Sequence, residues 1–400
     1  MLIDEFNKKI EKIEDEYIFQ NLSYIKKNRE KEINFLFDNN IKNNDFNNNI
    51  EKLHEISMKK GGFINMENRR KIYKYILNNL KNENNDLNNN SDILVENKNY
   101  DNTVDADCER SILHKIVNNN FSIKNYDKNK ITISKIDINN YLNELKKFIK
   151  ESLENYNKLD YYQGYNEICL YFFILFGYNE GVYYMNIFSK YFLYYIIAEK
   201  GHESFYLILD ILNDCCDYIE EKSNKLLNKL TRTKPYYSLS WIMTYFCHNN
   251  NNIFNQFRIL DYLITCNIGQ LYFFCSNIIV YEFNLIKKKL KINNNEEEDL
   301  VNMEIIINHF QKIKIEEINI DYIINLNEYK DVNILFYNIL LKRLKNINIK
   351  ENEKNFYKNM NKKVFNYDIK IFDFKREKIY LFFIIITLII LILSLYIVNK

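Results

Sequence analysis

Residues 161–177 read YYQGYNEICLYFFILFG. Gly164 frees the backbone for a tight turn inside the aromatic run, and Asn166 is then placed to cap the helix that follows. From Ile168 onward the stretch is apolar on every side, the pattern of a helix buried all round. Its roughly ten residues are about half of what a membrane span requires. The neighbouring run, 182–198, carries Asn186, Ser189 and Lys190. The pair therefore reads as core helices of one all-α domain rather than as spans of a polytopic membrane protein. The same density of apolar and aromatic residues extends from Tyr141 to Leu285 with few breakers, and Pro235 stands just ahead of an apolar helix starting near Ser238.

Outward from this centre the helical pattern continues. Residues 53–81 predict a helix, a break at Gly61-Gly62, and a second helix with Ile72, Tyr75, Ile76 and Leu80 on one face. A short helical stretch is expected over 104–117, between Asn-rich insertions at 82–103 and 118–138. Residues 1–49 read as a polar helical and Asn-rich extension, 293–299 (NNNEEED) as a loop, and helical periodicity resumes to about Leu344. Gly 7 and Pro 1 in 400 residues disfavour turn-rich β folds. Hydrophobic residues at 47% supply a core, and a net charge of +2 provides no field for nucleic acid. The seven cysteines include no C-x-x-C pair and read as buried thiols of a reducing compartment. The five histidines are scattered without metal-ligand spacing.

The carboxyl end differs in kind. Residues 379–398, IYLFFIIITLIILILSLYIV, are twenty residues without a charge. At about 1.5 Å per residue they span roughly 30 Å, the hydrocarbon thickness of a bilayer. The amino terminus holds no apolar stretch of signal-peptide length. The expectation is a single transmembrane helix acting as a tail anchor, with the bulk of the chain in the cytosol. Lys375, Arg376 and Lys378 flank it on that side, as the positive-inside rule requires. Residues 346–378 form a basic tether.

Two short motifs stand out from the Asn-rich background. In Val104-Asp105-Ala106-Asp107-Cys108-Glu109-Arg110-Ser111 a helix would set Asp107 and Arg110 three apart on one face, where a carboxylate can hold a guanidinium. The second is Tyr161-Tyr162-Gln163-Gly164-Tyr165-Asn166. Taken singly, the first reads as a surface ion pair and the second as an ordinary loop amide. In order, they resemble the two signature motifs of the TBC domain, the family of Rab GTPase-activating proteins: I-x-x-D-x-x-R, then Y-x-Q-G. Val104 stands for the Ile, Asp107 and Arg110 match, and so do Tyr161, Gln163 and Gly164. Residues 56–77 resemble the domain's opening helices, with Tyr73 where the family has Trp. Residues 238–265 resemble its S-x-x-W…F…R-x-x-D segment through Trp241, Phe246, Arg258 and Asp261. With a C-terminal span, the likeness is to the membrane-anchored branch of the endoplasmic reticulum and early secretory pathway.

This resemblance implies a two-lobed, all-helical TBC-type domain over 50–345. It also implies a partner, a Rab-family small GTPase in its GTP form. Arg110 would be the charge-stabilising finger and Gln163 the water-positioning finger. Asp107 would orient Arg110, while Tyr161, Gly164 and Asn166 would shape the loop that presents Gln163. No cofactor of the chain's own is implied, since GTP and Mg²⁺ arrive with the partner. The C-terminal helix would hold the lipid bilayer. Trp241, Arg258 and Asp261 are expected in the core. The rival reading is a catalytically inactive, membrane-anchored Rab-binding adaptor.

Overall fold

A computed structural model of the chain describes residues 2–40, 46–83, 101–112, 135–154, 161–193, 201–292, 300–327 and 332–345. Among them every regular element is helical and none is a strand. In chain order the α-helices are α1 (Leu2–Asn21), α2 (Ser23–Phe35), α3 (Phe46–Met58), α4 (Met66–Glu83), α5 (Asp101–Asp107), α6 (Lys135–Glu154), α7 (Tyr165–Phe176) and α8 (Asn179–Phe188). There follow α9 (Gly201–Thr231), α10 (Leu239–Met243), α11 (Ile253–Leu263), α12 (Ile268–Leu290), α13 (Leu300–Gln311), α14 (Ile320–Leu326) and α15 (Val332–Lys345). Turns of π-helix extend α2 (Leu36–Asn40), α5 (Cys108–Ile112) and α8 (Ser189–Leu193). The chain divides into two compact units, Met1–Tyr329 and Lys330–Lys400. The first holds α1 to α14; of the second, the described part is α15.

Helix α7 is the apolar run that opens the sequence reading, and every one of its residues is buried. Its Phe173 meets Tyr141 and Phe148 of α6 edge to face at 5.1 and 5.2 Å, and Phe172 meets Phe188 of α8 at 4.9 Å. Each such ring contributes about 1.5–3 kcal/mol by leaving water. Gly181 lets α8 come close to α6, because a Cβ there would lie 2.7 Å from the Phe148 ring. Gly177, at φ +72°, ends α7 in a conformation that L side chains rarely adopt.

A second centre is charged. The expected break at Gly61-Gly62 forms, with φ of +83° and +53°. It brings the backbone onto Asp261 of α11: the Phe63 N–H donates to Asp261 Oδ2 at 3.0 Å, and a Cβ on Gly62 would lie 2.7 Å from the same oxygen. Arg69 Nε donates to both carboxylate oxygens at 3.0 and 3.1 Å, and the Tyr73 hydroxyl donates to Oδ1 at 3.0 Å. Arg69 also bonds Glu14 of α1, whose other oxygen accepts from the Met66 N–H at 2.7 Å. All these side chains are buried. Burial alone would lower the Arg69 pKa, but the paired carboxylates outweigh it and hold the guanidinium charged. Arg258, one turn from Asp261, donates to the carbonyls of Ser57, Met58 and Lys59 and to Asp321 of α14. Trp241 is fully buried on α10.

Several boundaries differ from the sequence reading. Within the first unit, Ile10, Glu14 and Ile18 lie four apart on one buried face of α1. Helix α4 runs to Glu83 and α5 begins at Asp101, so each enters the expected 82–103 insertion; α6 begins at Lys135, inside the expected 118–138 insertion. Residues 84–100 and 113–134 lie outside the described residues, as do the tether at 346–378 and the apolar run at 379–398. Among the described residues no helix is long and apolar enough to cross a membrane. All seven cysteines are free, Cys266 half-buried and the others buried.

Asp261→Ala strands Arg69, Tyr73 and the Phe63 N–H in the interior. It is expected to cost about 3–5 kcal/mol, the penalty for breaking a buried charge pair from one side. Urea unfolding of the two proteins measures this, and a loss below about 1 kcal/mol would show that the cluster does not hold the fold.

Candidate functional site

Helix α5 is seven residues long and two-faced. Val104 and Cys108, four apart, are fully buried, whereas Glu109 and Arg110 are exposed. Burial pushes the Cys108 thiol up to about 12, so it is a neutral packing group. From Cys108 the chain widens into the π-helical turn that carries Arg110, a local form frequent at functional sites. Lys146 of α6 holds the outer face, 3.2 Å from Glu109 and 3.6 Å from Asp105.

The carboxylate of Asp107 joins the two motifs. Its Oδ1 accepts from Arg110 Nη2 at 2.7 Å, and its Oδ2 accepts from the Tyr161 hydroxyl at 2.9 Å. The Asp107 side chain is 9% exposed and that of Arg110 is 63% exposed. A pair so open to water adds under about 1 kcal/mol to stability, so its effect is directional. It sets the guanidinium on a buried anchor and leaves N–H donors facing out. Burial, and then the Asp107 charge, push the Tyr161 phenol far above its ordinary range, so it stays a proton donor to the carboxylate.

Two residues after Tyr161, Gln163 is exposed at the turn before α7. Three tyrosines moor that turn. Besides Tyr161, the Tyr162 hydroxyl donates to the Met243 carbonyl at 2.8 Å, and the Tyr165 hydroxyl pairs with Ser189 Oγ at 2.9 Å. Gly164 adopts φ +105°, ψ −14°, and a Cβ there would lie 2.5 Å from Thr244 Cγ2, so only glycine fits. Asn166 does not cap α7. The helix starts two residues earlier than an Asn166 cap would place it, at Tyr165, so Gly164 takes the cap position and Asn166 is buried in the first turn. Asp107, Arg110 and Tyr161 are thus brought into direct contact, Gly164 and Gln163 share the attached turn, and Asn166 packs beneath it.

Two polar residues of this region escaped the sequence reading. Glu167, buried in the first turn of α7, pairs through Oε1 with Nδ1 of His248 at 2.6 Å. A carboxylate at a helix N-terminus is favoured by the helix dipole, but nothing in the sequence says which of five histidines meets it. Among the described residues no group of three or more His, Cys, Asp and Glu is arranged to hold a metal ion. Compared with known proteins, the chain matches no family model and no curated protein sequence.

Tyr161→Phe removes one donor from Asp107 without opening a cavity. The expected cost is about 1.5–3 kcal/mol, the range for a hydrogen bond to a charged group. Equilibrium unfolding checks it; an unchanged midpoint would mean that the two motifs are not coupled through Asp107.

Proposed function

We propose that this chain is a GTPase-activating protein of the TBC type, acting in trans on a GTP-loaded Rab-family GTPase at a membrane surface to which residues 379–398 anchor it. One observation supports the reading above the others. A single buried carboxylate, Asp107, binds both the guanidinium of one signature motif and the leading tyrosine of the other, while Arg110 and Gln163 stay exposed.

Such a pair suits phosphoryl transfer. Hydrolysis of GTP spreads negative charge over the leaving phosphates and needs an aligned water. Arginine is always charged and its fork contacts two oxygens at once. A carboxamide both donates and accepts, as an orienting group for water must. Arg110 supplies the charge and Gln163 orients the water. Asp107 and Tyr161 reduce the freedom that Arg110 would lose on meeting the partner, and Gly164 gives the turn the shape that leaves Gln163 at its tip. GTP and Mg²⁺ come with the partner. The two-lobed TBC architecture, the tail anchor and a site in the early secretory pathway belong to the same proposal.

An arginine delivered in trans is worth about 10³–10⁵ in rate. Single-turnover hydrolysis by a panel of purified Rab-family GTPases, with the full-length chain in liposomes, is expected to show stimulation that Arg110→Ala and Gln163→Ala each reduce at least about a hundredfold, with unfolding midpoints unchanged. Equal rates in both variants would remove the catalytic claim. GTP-dependent binding with no acceleration would leave the chain a tether.

A further inference from the structure

We infer that His248 is a positioning residue for the Gln163 turn, acting through Glu167 and Thr244. The inference rests on the reading of Gln163 as the water-orienting group. The turn 161–167 is attached from behind to the segment 243–248 at three successive points. The Tyr162 hydroxyl donates to the Met243 carbonyl at 2.8 Å. Gly164 lies directly on the Thr244 side chain, with no room for a Cβ. Glu167, whose N–H donates to the Gly164 carbonyl at 3.1 Å, bonds Nδ1 of His248 at 2.6 Å.

His248 closes this loop on itself. Its own N–H donates to Thr244 Oγ1 at 3.1 Å, and that hydroxyl donates to the Ser240 carbonyl at 2.7 Å. The backbone N–H at this position thus holds the Thr244 surface on which Gly164 rests, and the His248 side chain holds the Glu167 carboxylate that follows it. With Glu167 as the carboxylate, which can only accept, Nδ1–H is the donor of this pair. Between the two contacts, Tyr245 and Phe246 take φ of +50° and +66°, left-handed conformations that non-glycine residues hold only when their surroundings dictate them. The Gln256 side chain donates to the Tyr245 carbonyl at 2.7 Å, and the Phe246 N–H donates to the Trp241 carbonyl at 2.7 Å, which supply that restraint from the core side. Glu167 is 2% exposed and the His248 side chain 51% exposed, so the outer member of the clamp can be changed without opening the core.

The test uses the full-length chain with His248→Ala and His248→Asn. The asparagine amide can take the place of Nδ1–H, so it keeps the donor to Glu167. Amide hydrogen exchange is expected to speed up at least tenfold over residues 161–167 in His248→Ala, to stay near the original rate in His248→Asn, and to be unchanged in α9 and α12. With a GTP-loaded Rab-family GTPase that the unaltered chain accelerates, the maximal single-turnover rate should fall at least tenfold in His248→Ala while the half-saturating concentration changes less than twofold. His248→Asn should restore the rate. Unchanged exchange at 161–167 overturns the clamp whatever the kinetics, and faster exchange with an unaltered maximal rate overturns its part in positioning. An unaltered chain that accelerates no Rab-family GTPase overturns the reading beneath the inference, a result the exchange measurement keeps separate from failure of the clamp.

Discussion

The Asp261 carboxylate is the constraint on which the first unit depends. It is fully buried, and it collects a backbone N–H from the Gly61-Gly62 turn, the Arg69 guanidinium and the Tyr73 hydroxyl. Those donors come from the turn after α3 and from α4, and Arg69 passes the connection on to Glu14 of α1. Leaving one charge in an apolar interior costs several kcal/mol, so the groups must be satisfied together. That requirement fixes α1, the turn and α4 against α11. Arg258 repeats the arrangement one turn earlier with three carbonyls of the same turn region and Asp321. The aromatic packing around α7 is non-directional by comparison; the charged cluster gives it a register.

The same device recurs at the surface on a smaller scale. Asp107 is buried while Arg110 is not, so a carboxylate secured by the core directs a cation into solvent. The Tyr161 hydroxyl on its second oxygen extends that control to the turn carrying Gln163. Behind the turn, the segment Met243 to His248 is strained at Tyr245 and Phe246 and bonded at both ends. The Gln163 turn is therefore bonded from behind, while Gln163 and Arg110 are exposed, an arrangement consistent with the proposed role in trans.

Much of this was legible in the sequence, for identifiable reasons. The α7 run announced itself because it is apolar on all sides yet too short to cross a bilayer. The Gly61-Gly62 break and the Asp107–Arg110 pair followed from turn chemistry and from helical spacing. Tyr73 stood out only as the position where the resembling family has Trp, and its bond to Asp261 was not legible, since the partner lies far along the chain. Asn is a good capping residue, which favours Asn166 in the sequence, but the cap position falls to Gly164, held there by its left-handed turn and making no side-chain bond. In residues 1–49 Asn and Lys dilute the pattern, so the buried repeat of Ile10, Glu14 and Ile18 every four residues is hard to see in the sequence. Glu167 and His248 gave no signal at all: a contact between distant polar residues leaves no periodicity.

The central claim is that Arg110 meets a phosphoryl group in transit on a partner GTPase. The most direct measurement is complex formation with a GDP-loaded Rab-family GTPase in the presence of aluminium fluoride, which mimics that group, followed by size-exclusion chromatography. Transition-state mimics bind about 10²–10⁸-fold more tightly than ground states when catalysis is real. The account predicts a complex that requires both GDP and aluminium fluoride and is lost on Arg110→Ala. A complex indifferent to aluminium fluoride, or one that survives the loss of Arg110, would contradict it.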